Sequence, residues 1–188
     1  MKTTMKSALK AAALLLMATV MTTGMTSCSS DDDNKVTDTN IAGTVITITP
    51  NLPDDCVNTY DNSLIYTDGA GVKHTEALVN GKSITIKSST PESTGTLTIH
   101  QTLKSGVKLT EASYMIGSEL TFEVQGVNAK GQVICKSDPQ KGNLLNTVKA
   151  SDVEKTIAKD PMKARYTVSK TTDAQNPLVF LVEQIVEK

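Results

Sequence analysis

From Gly43 onward the chain is written in short alternating segments of apolar and polar residues. The clearest is ELTFEVQGV, where Leu120, Phe122 and Val124 fall on one side and Glu119, Thr121, Glu123 and Gln125 on the other. TLTIHQTL repeats the pattern with Leu97, Ile99 and Leu103 against Thr98, His100 and Thr102. SITIKS contributes Ile84 and Ile86, and KARYTVS contributes Ala164, Tyr166 and Val168. A period of two with one apolar face is the signature of a half-buried strand in an antiparallel sheet. LVFLV, residues 178–182, is apolar on both sides and predicts a better-covered strand.

Turn chemistry separates these segments. Asn80-Gly81 lies between two strand-like runs and predicts a hairpin, because both residues tolerate positive φ. DGAG at 68–71 and NAKG at 128–131 predict two more. About nine strands follow from this punctuation. One helix is expected near the C-terminal end. Ser151 followed by Glu154 forms a capping-box pattern, Val153 and Ile157 share a face, and Pro161 forbids continuation. Many short antiparallel strands at regular spacing make the expected fold all-β, an antiparallel β-sandwich, with a lipocalin-like barrel as the alternative. LTFEVQGVNAKGQVI, residues 120–134, resembles the last hairpin of immunoglobulin and fibronectin type III-like domains. The resemblance spans about fifteen residues. The chain departs from that family in having no tryptophan, and it continues well past the hairpin, so the expectation is an elaborated version of the module.

The N-terminus has a different grammar. Lys2, Lys6 and Lys10 precede an apolar stretch at residues 11–21 (AAALLLMATVM). A membrane-spanning helix needs about 20 apolar residues. This stretch is too short to span but suits the h-region of a secretory signal. Small and polar residues then lead to Met25, Thr26, Ser27 and Cys28. Here the chain resembles bacterial lipoprotein precursors, which are cut just before a cysteine that carries a diacylglyceryl thioether. The resemblance implies a signal peptide at 1–27, a lipidated Cys28 within an acidic tether at 28–42, and a β-rich domain at 43–188. Ser29, Ser30, Asp31, Asp32 and Asp33 resemble the export tag of surface lipoproteins in Bacteroidetes-type bacteria. The plainer reading of the same residues is a solvated, self-repelling tether. The implied location is the outer membrane, lipid-anchored and exposed at the cell surface, with a periplasm-facing domain as the alternative.

Removing residues 1–27 takes three of the nineteen basic side chains and none of the twenty acids. The mature chain therefore carries a net charge of −4. Arg165 is its only arginine. Nucleic-acid binders concentrate Lys and Arg on one face, so nucleic acid is not an expected partner. Cys56 and Cys135 remain once Cys28 is lipidated. In an oxidising compartment they are a candidate disulfide, and the alternative is two buried thiols.

Candidate chemistry is sparse. His74 and Glu76 lie two residues apart and share a strand face, but no motif supplies a nucleophile or further ligands. His100 falls on the polar face of its strand and reads as solvated. Asp54 and Asp55, near Asp61 and Asn62, offer oxygen ligands for calcium without the EF-hand spacing, and the plain alternative is loop chemistry. No phosphate loop, nucleophile elbow or zinc-type cysteine spacing occurs, so no cofactor, metal or catalytic residue is expected. Phe122, Tyr166 and Phe180 fall at core positions, leaving Tyr60, Tyr66 and Tyr114 for any sugar-stacking platform. The function expected is non-enzymatic binding of an extracellular glycan or protein. The alternatives are a pilus-like structural component, in which the run at 178–186 serves as a donor strand, and a barrel for a small apolar ligand.

Overall fold

The computed structural model describes residues 39–160, 162–173 and 177–185. Cys28, residues 29–33 and Pro161 lie outside them. Ten strands and two short helices follow in chain order: β1 (Gly43–Asn51), α1 (Asp54–Thr59), β2 (Tyr60–Thr67), β3 (Lys73–Ala77), β4 (Ile84–Ser88), β5 (Ser93–Leu103), β6 (Ser113–Val127), β7 (Val133–Lys136), β8 (Gln140–Lys149), α2 (Val153–Ile157), β9 (Met162–Lys170) and β10 (Leu178–Ile185). The strands form two five-stranded antiparallel sheets. In the first, β4, β1 and β6 lie side by side, and β7 and β8 sit end to end along the far edge of β6. The second has the order β10-β9-β5-β2-β3. The two sheets pack face to face as an open sandwich. The barrel alternative is therefore corrected: each sheet ends in edge strands instead of closing on itself.

Alternation explains the packing. Ile46, Ile48, Ile84, Ile86, Leu120, Phe122 and Val124 face inward from the first sheet. Leu64, Leu97, Ile99, Ala164, Tyr166, Val168, Leu178 and Phe180 meet them from the second, and all are buried. Phe122 and Phe180 sit with ring centroids 5.5 Å apart. Fully burying each such side chain stabilises the fold by about 1.5–3 kcal/mol.

The punctuation has two outcomes. Asp68 and Asn128 each open a hairpin of one design. Their backbone carbonyls accept from Gly71 and Gly131, while their side-chain oxygens accept from the amides two and four residues on. Asn80-Gly81 behaves otherwise, because the strands it joins belong to different sheets. Lys82 N donates to Val79 O, and only Gly81 has positive φ (78°), so this is a corner of type II instead of a hairpin. The Asn80 side chain is committed elsewhere, accepting from Leu52 N (2.6 Å) and donating to Leu52 O (3.0 Å).

The C-terminal helix buries Val153 and Ile157 as their spacing predicts. Its entry differs from the capping box. A 3-10 turn, Ala150–Asp152, leads into α2 and carries Ser151 inside a helical turn, so no side chain caps the end. Helix α1 is absent from the sequence expectation, which read Pro53, Asp54 and Asp55 as loop. The signal was present: a proline followed by two acids in the first turn suits a helix N-terminus.

Between β7 and β8, Pro139 cannot join the ladder, and Ser137 bridges the gap. It donates through its backbone N to Val124 O, and its hydroxyl accepts from Val124 N, both at 2.8 Å. Gly117 marks the other irregularity of this sheet. Its φ is +96°, and a Cβ there would stand 1.8 Å from Leu144 O. Gly117→Ala is expected to lower stability by at least about 3 kcal/mol, combining backbone strain with a clash against backbone. Urea denaturation of the variant checks this, and an unchanged midpoint would refute it.

Candidate functional site

A connected set of buried polar groups lies at the end of the sandwich that carries α1. Gln101, 4% exposed, projects inward from β5. Its Oε1 accepts from Gly117 N of the opposite sheet at 2.7 Å, and its Nε2 donates to Asn62 Oδ1 at 2.7 Å. Asn62 Nδ2 donates in turn to the carbonyls of Cys56 and Tyr60, both at 2.9 Å. Cys56 Sγ donates to Met115 O at 3.3 Å. Burial pushes the Cys56 thiol up to about 11, opposed by a Gln101 hydrogen bond and aided by Asp55. The thiolate is the reactive form, so this shift disfavours reaction at Cys56.

The candidate disulfide is corrected by the same geometry. Cys56 and Cys135 are both buried and are not bridged. Cys56 lies against Met115 near the start of β6, whereas Cys135 pairs with Gly126 near its end. At about 3.3 Å per residue these points on one strand are roughly 35 Å apart, far beyond the approximately 7 Å that a disulfide spans.

Neither histidine stands as its sequence neighbours suggest. His74 turns from Glu76 to Asp68, with Nε2 2.9 Å from Oδ2, and stacks on Tyr66 at a centroid distance of 5.0 Å. Glu76 instead accepts from the Tyr66 hydroxyl at 2.6 Å. Burial, reinforced by that carboxylate, pushes the Tyr66 phenol up to about 12. His100 is not simply solvated. Its Nδ1 lies 2.6 Å from Asp160 Oδ1, and both side chains are partly exposed. Asp160 has φ 47° and closes the last turn of α2, so its contact with His100 ties that helix to β5. Ser63, directly across the ladder from His100, spends its hydroxyl on the His100 carbonyl at 3.4 Å. The imidazole and hydroxyl thus adjoin without forming a proton-transfer pair.

The calcium reading also dissolves. Asp54 and Asp55 occupy the first turn of α1, and the Asn62 oxygen is taken by Gln101. Among the described residues, no group of three or more His, Cys, Asp or Glu side chains could hold a metal ion. The aromatic supply is exhausted in the interior. Tyr60, Tyr66, Tyr114, Phe122, Tyr166 and Phe180 are all buried, and they are all the aromatics of the chain. Stacking on a sugar ring has no surface to use.

What the sandwich does offer is an open flank. Where β8 faces β10, Phe122, Leu144 and Val182 line a cleft of about 40 Å³, bordered by Gln140, Lys141, Asn143 and Gln184. Gly142 keeps it open, since a Cβ there would come within 2.9 Å of the Phe122 ring. Small-molecule pockets run to about 300–1,000 Å³, so this cleft is far smaller than a typical ligand site. Sequence reasoning missed it because strand order decides which edges face each other. The chain finds no match among known protein-family models, curated proteins or solved structures.

The Asp68–His74 contact has a titration signature. The His74 hydrogen bond, followed by the Val72 amide, holds the Asp68 carboxyl below the ordinary carboxylate value. A carboxylate depressed in this way contributes stability above its unfolded pKa of about 3.9 and loses it as pH falls through the lower, folded value. In His74→Ala the Asp68 midpoint, followed by carboxyl NMR, is expected to rise toward the ordinary value. An unmoved midpoint would assign the depression to the loop amides alone.

Proposed function

We propose that this chain is a lipid-anchored protein of the bacterial outer membrane, displayed at the cell surface, whose sandwich binds another protein without catalysis. The open β8–β10 flank is the observation that carries the binding role: it is concave, apolar at its floor and polar at its rim. Anchoring rests on the signal-like N-terminus that ends at Cys28, with the acidic run at 31–33 behind it. A diacylglyceryl cysteine holds stably to a bilayer, because two acyl chains pass the threshold that one does not.

Chain polarity supports the orientation. β1 begins beside Val127 and Ser88, so the tether enters at that end. Helices α1 and α2 and the Asn80-Gly81 corner lie at the other end, facing away from the membrane. The flank runs along the side of the sandwich, between those two ends. Glycan capture loses support because every aromatic is buried. The donor-strand reading of the C-terminal run loses support as well, since Leu178 and Phe180 are both 0% exposed within their own core.

Two measurements test the proposal. Wild-type protein is expected in the outer membrane and to be cleaved by protease added to intact cells, whereas Cys28→Ser leaves that fraction. Equal retention of both would remove the anchor. A photocrosslinking residue at Leu181 is expected to give protein adducts on intact cells, and one at Thr47, on the outer face of the other sheet, is not. Adducts at neither position would remove the binding role.

A further inference from the structure

The four flanking edges of the sandwich are not equally defended. β3 carries Lys73, His74 and Glu76, β4 carries Lys87, and β8 carries Lys141 and Lys149. Exposed edges are normally blunted in this way, or by prolines and bulges, because unpaired backbone groups invite another strand. β10 uses them least, with a single charge in eight residues. Its register with β9 runs unbroken from Leu178↔Lys170 to Ile185↔Lys163, it contains no proline, and Glu183 is its one charge. Among the described residues it pairs with β9 alone. Val179, Leu181 and Ile185 face outward and are half-buried, while Val182 borders the cleft.

A strand added to β10 would extend the second sheet and set alternate side chains over Phe122 and Leu144. The rim suits such an occupant. Gln140 and Gln184 present carboxamides, which both donate and accept as a peptide backbone does, while the Asn143 oxygen already accepts from Leu145 N. Lys141 is the only charged group lining the cleft. We infer that the β8–β10 flank takes an extended segment of a partner protein by strand addition to β10. The segment is apolar at alternate positions and carries a carboxylate toward Lys141. The inference rests on the protein-binding role proposed above.

A second copy fits less well. Antiparallel β10–β10 pairing would put the two tether ends at opposite ends of the pair. β6 alone spans roughly 45–50 Å, and residues 29–40, ahead of the buried Ile41, reach at most about 43 Å fully extended, so both copies could share one membrane only by lying flat on it instead of standing with α1 and α2 away from it.

The test uses the full mature lipoprotein in nanodiscs and three synthetic decapeptides. One alternates valine with threonine and ends in aspartate, the second ends in lysine instead, and the third has proline at every third position. The first is expected to slow amide hydrogen exchange across residues 178–185 at least tenfold. The lysine-ended peptide should bind at least threefold more weakly, and the proline peptide should give no protection. Leu181→Lys is expected to abolish protection with an unchanged thermal melt. Lys141→Glu, at an exposed position, should reverse the preference toward the lysine-ended peptide. Unchanged exchange at 178–185 with every peptide would overturn the inference, as would equal binding by Leu181→Lys. Protection that grows with protein concentration in the absence of peptide would overturn it in favour of a second copy. Adducts at Leu181 on cells without peptide protection would sink strand addition and leave the protein-binding role standing.

Discussion

A single buried carboxamide holds the two sheets in register at one end of the sandwich. Gln101 reaches from β5 to the Gly117 amide of β6 while steadying Asn62, which in turn binds the end of α1. Apolar packing between sheets is non-directional and tolerates sliding, whereas a hydrogen bond inside the core does not. Leaving either partner unpaired there would cost about 1–3 kcal/mol, so the bridge favours one alignment over its neighbours. Gly117 is the other half of this constraint. Its positive φ turns the amide toward Gln101 and lets the β8 backbone approach where a Cβ would collide.

This alignment has consequences at the opposite side. It sets β8 over β10 and leaves their edges facing a shallow cleft, while β4 and β3 close the other flank with charged side chains. The outer faces are polar, with Thr47, Thr49, Thr121 and Glu123 on one sheet and Thr94, Thr96, Thr98 and Lys163 on the other. Among the described residues the exposed large hydrophobics are Val57, Val72, Val79 and Val133, none of them on β10.

Much of the architecture was legible because a strand reports its own burial. The alternation at 119–125 and at 97–103 named the apolar inward side chains correctly, though not Gln101 among them, since a period of two assigns each residue to one face whatever the neighbouring strand is. The Asp68 and Asn128 hairpins were legible for a similar reason, because their hydrogen bonds close within five residues. The Asn80-Gly81 corner was not. Its residues suit either a hairpin or a type II turn, and the choice was made by Leu52, far away in sequence, which engages the Asn80 side chain.

The same division runs through the candidate sites. From residue order alone came the all-β class, the faces of the strands, the short C-terminal helix and the anchoring expectation at Cys28, each resting on local pattern. The partners of His74, His100 and Gln101, the separation of Cys56 from Cys135 and the cleft beside β10 came only from tertiary structure. Each of those depends on which strands become neighbours. Strand order is settled by the packing of the whole core, and no local window of sequence contains it.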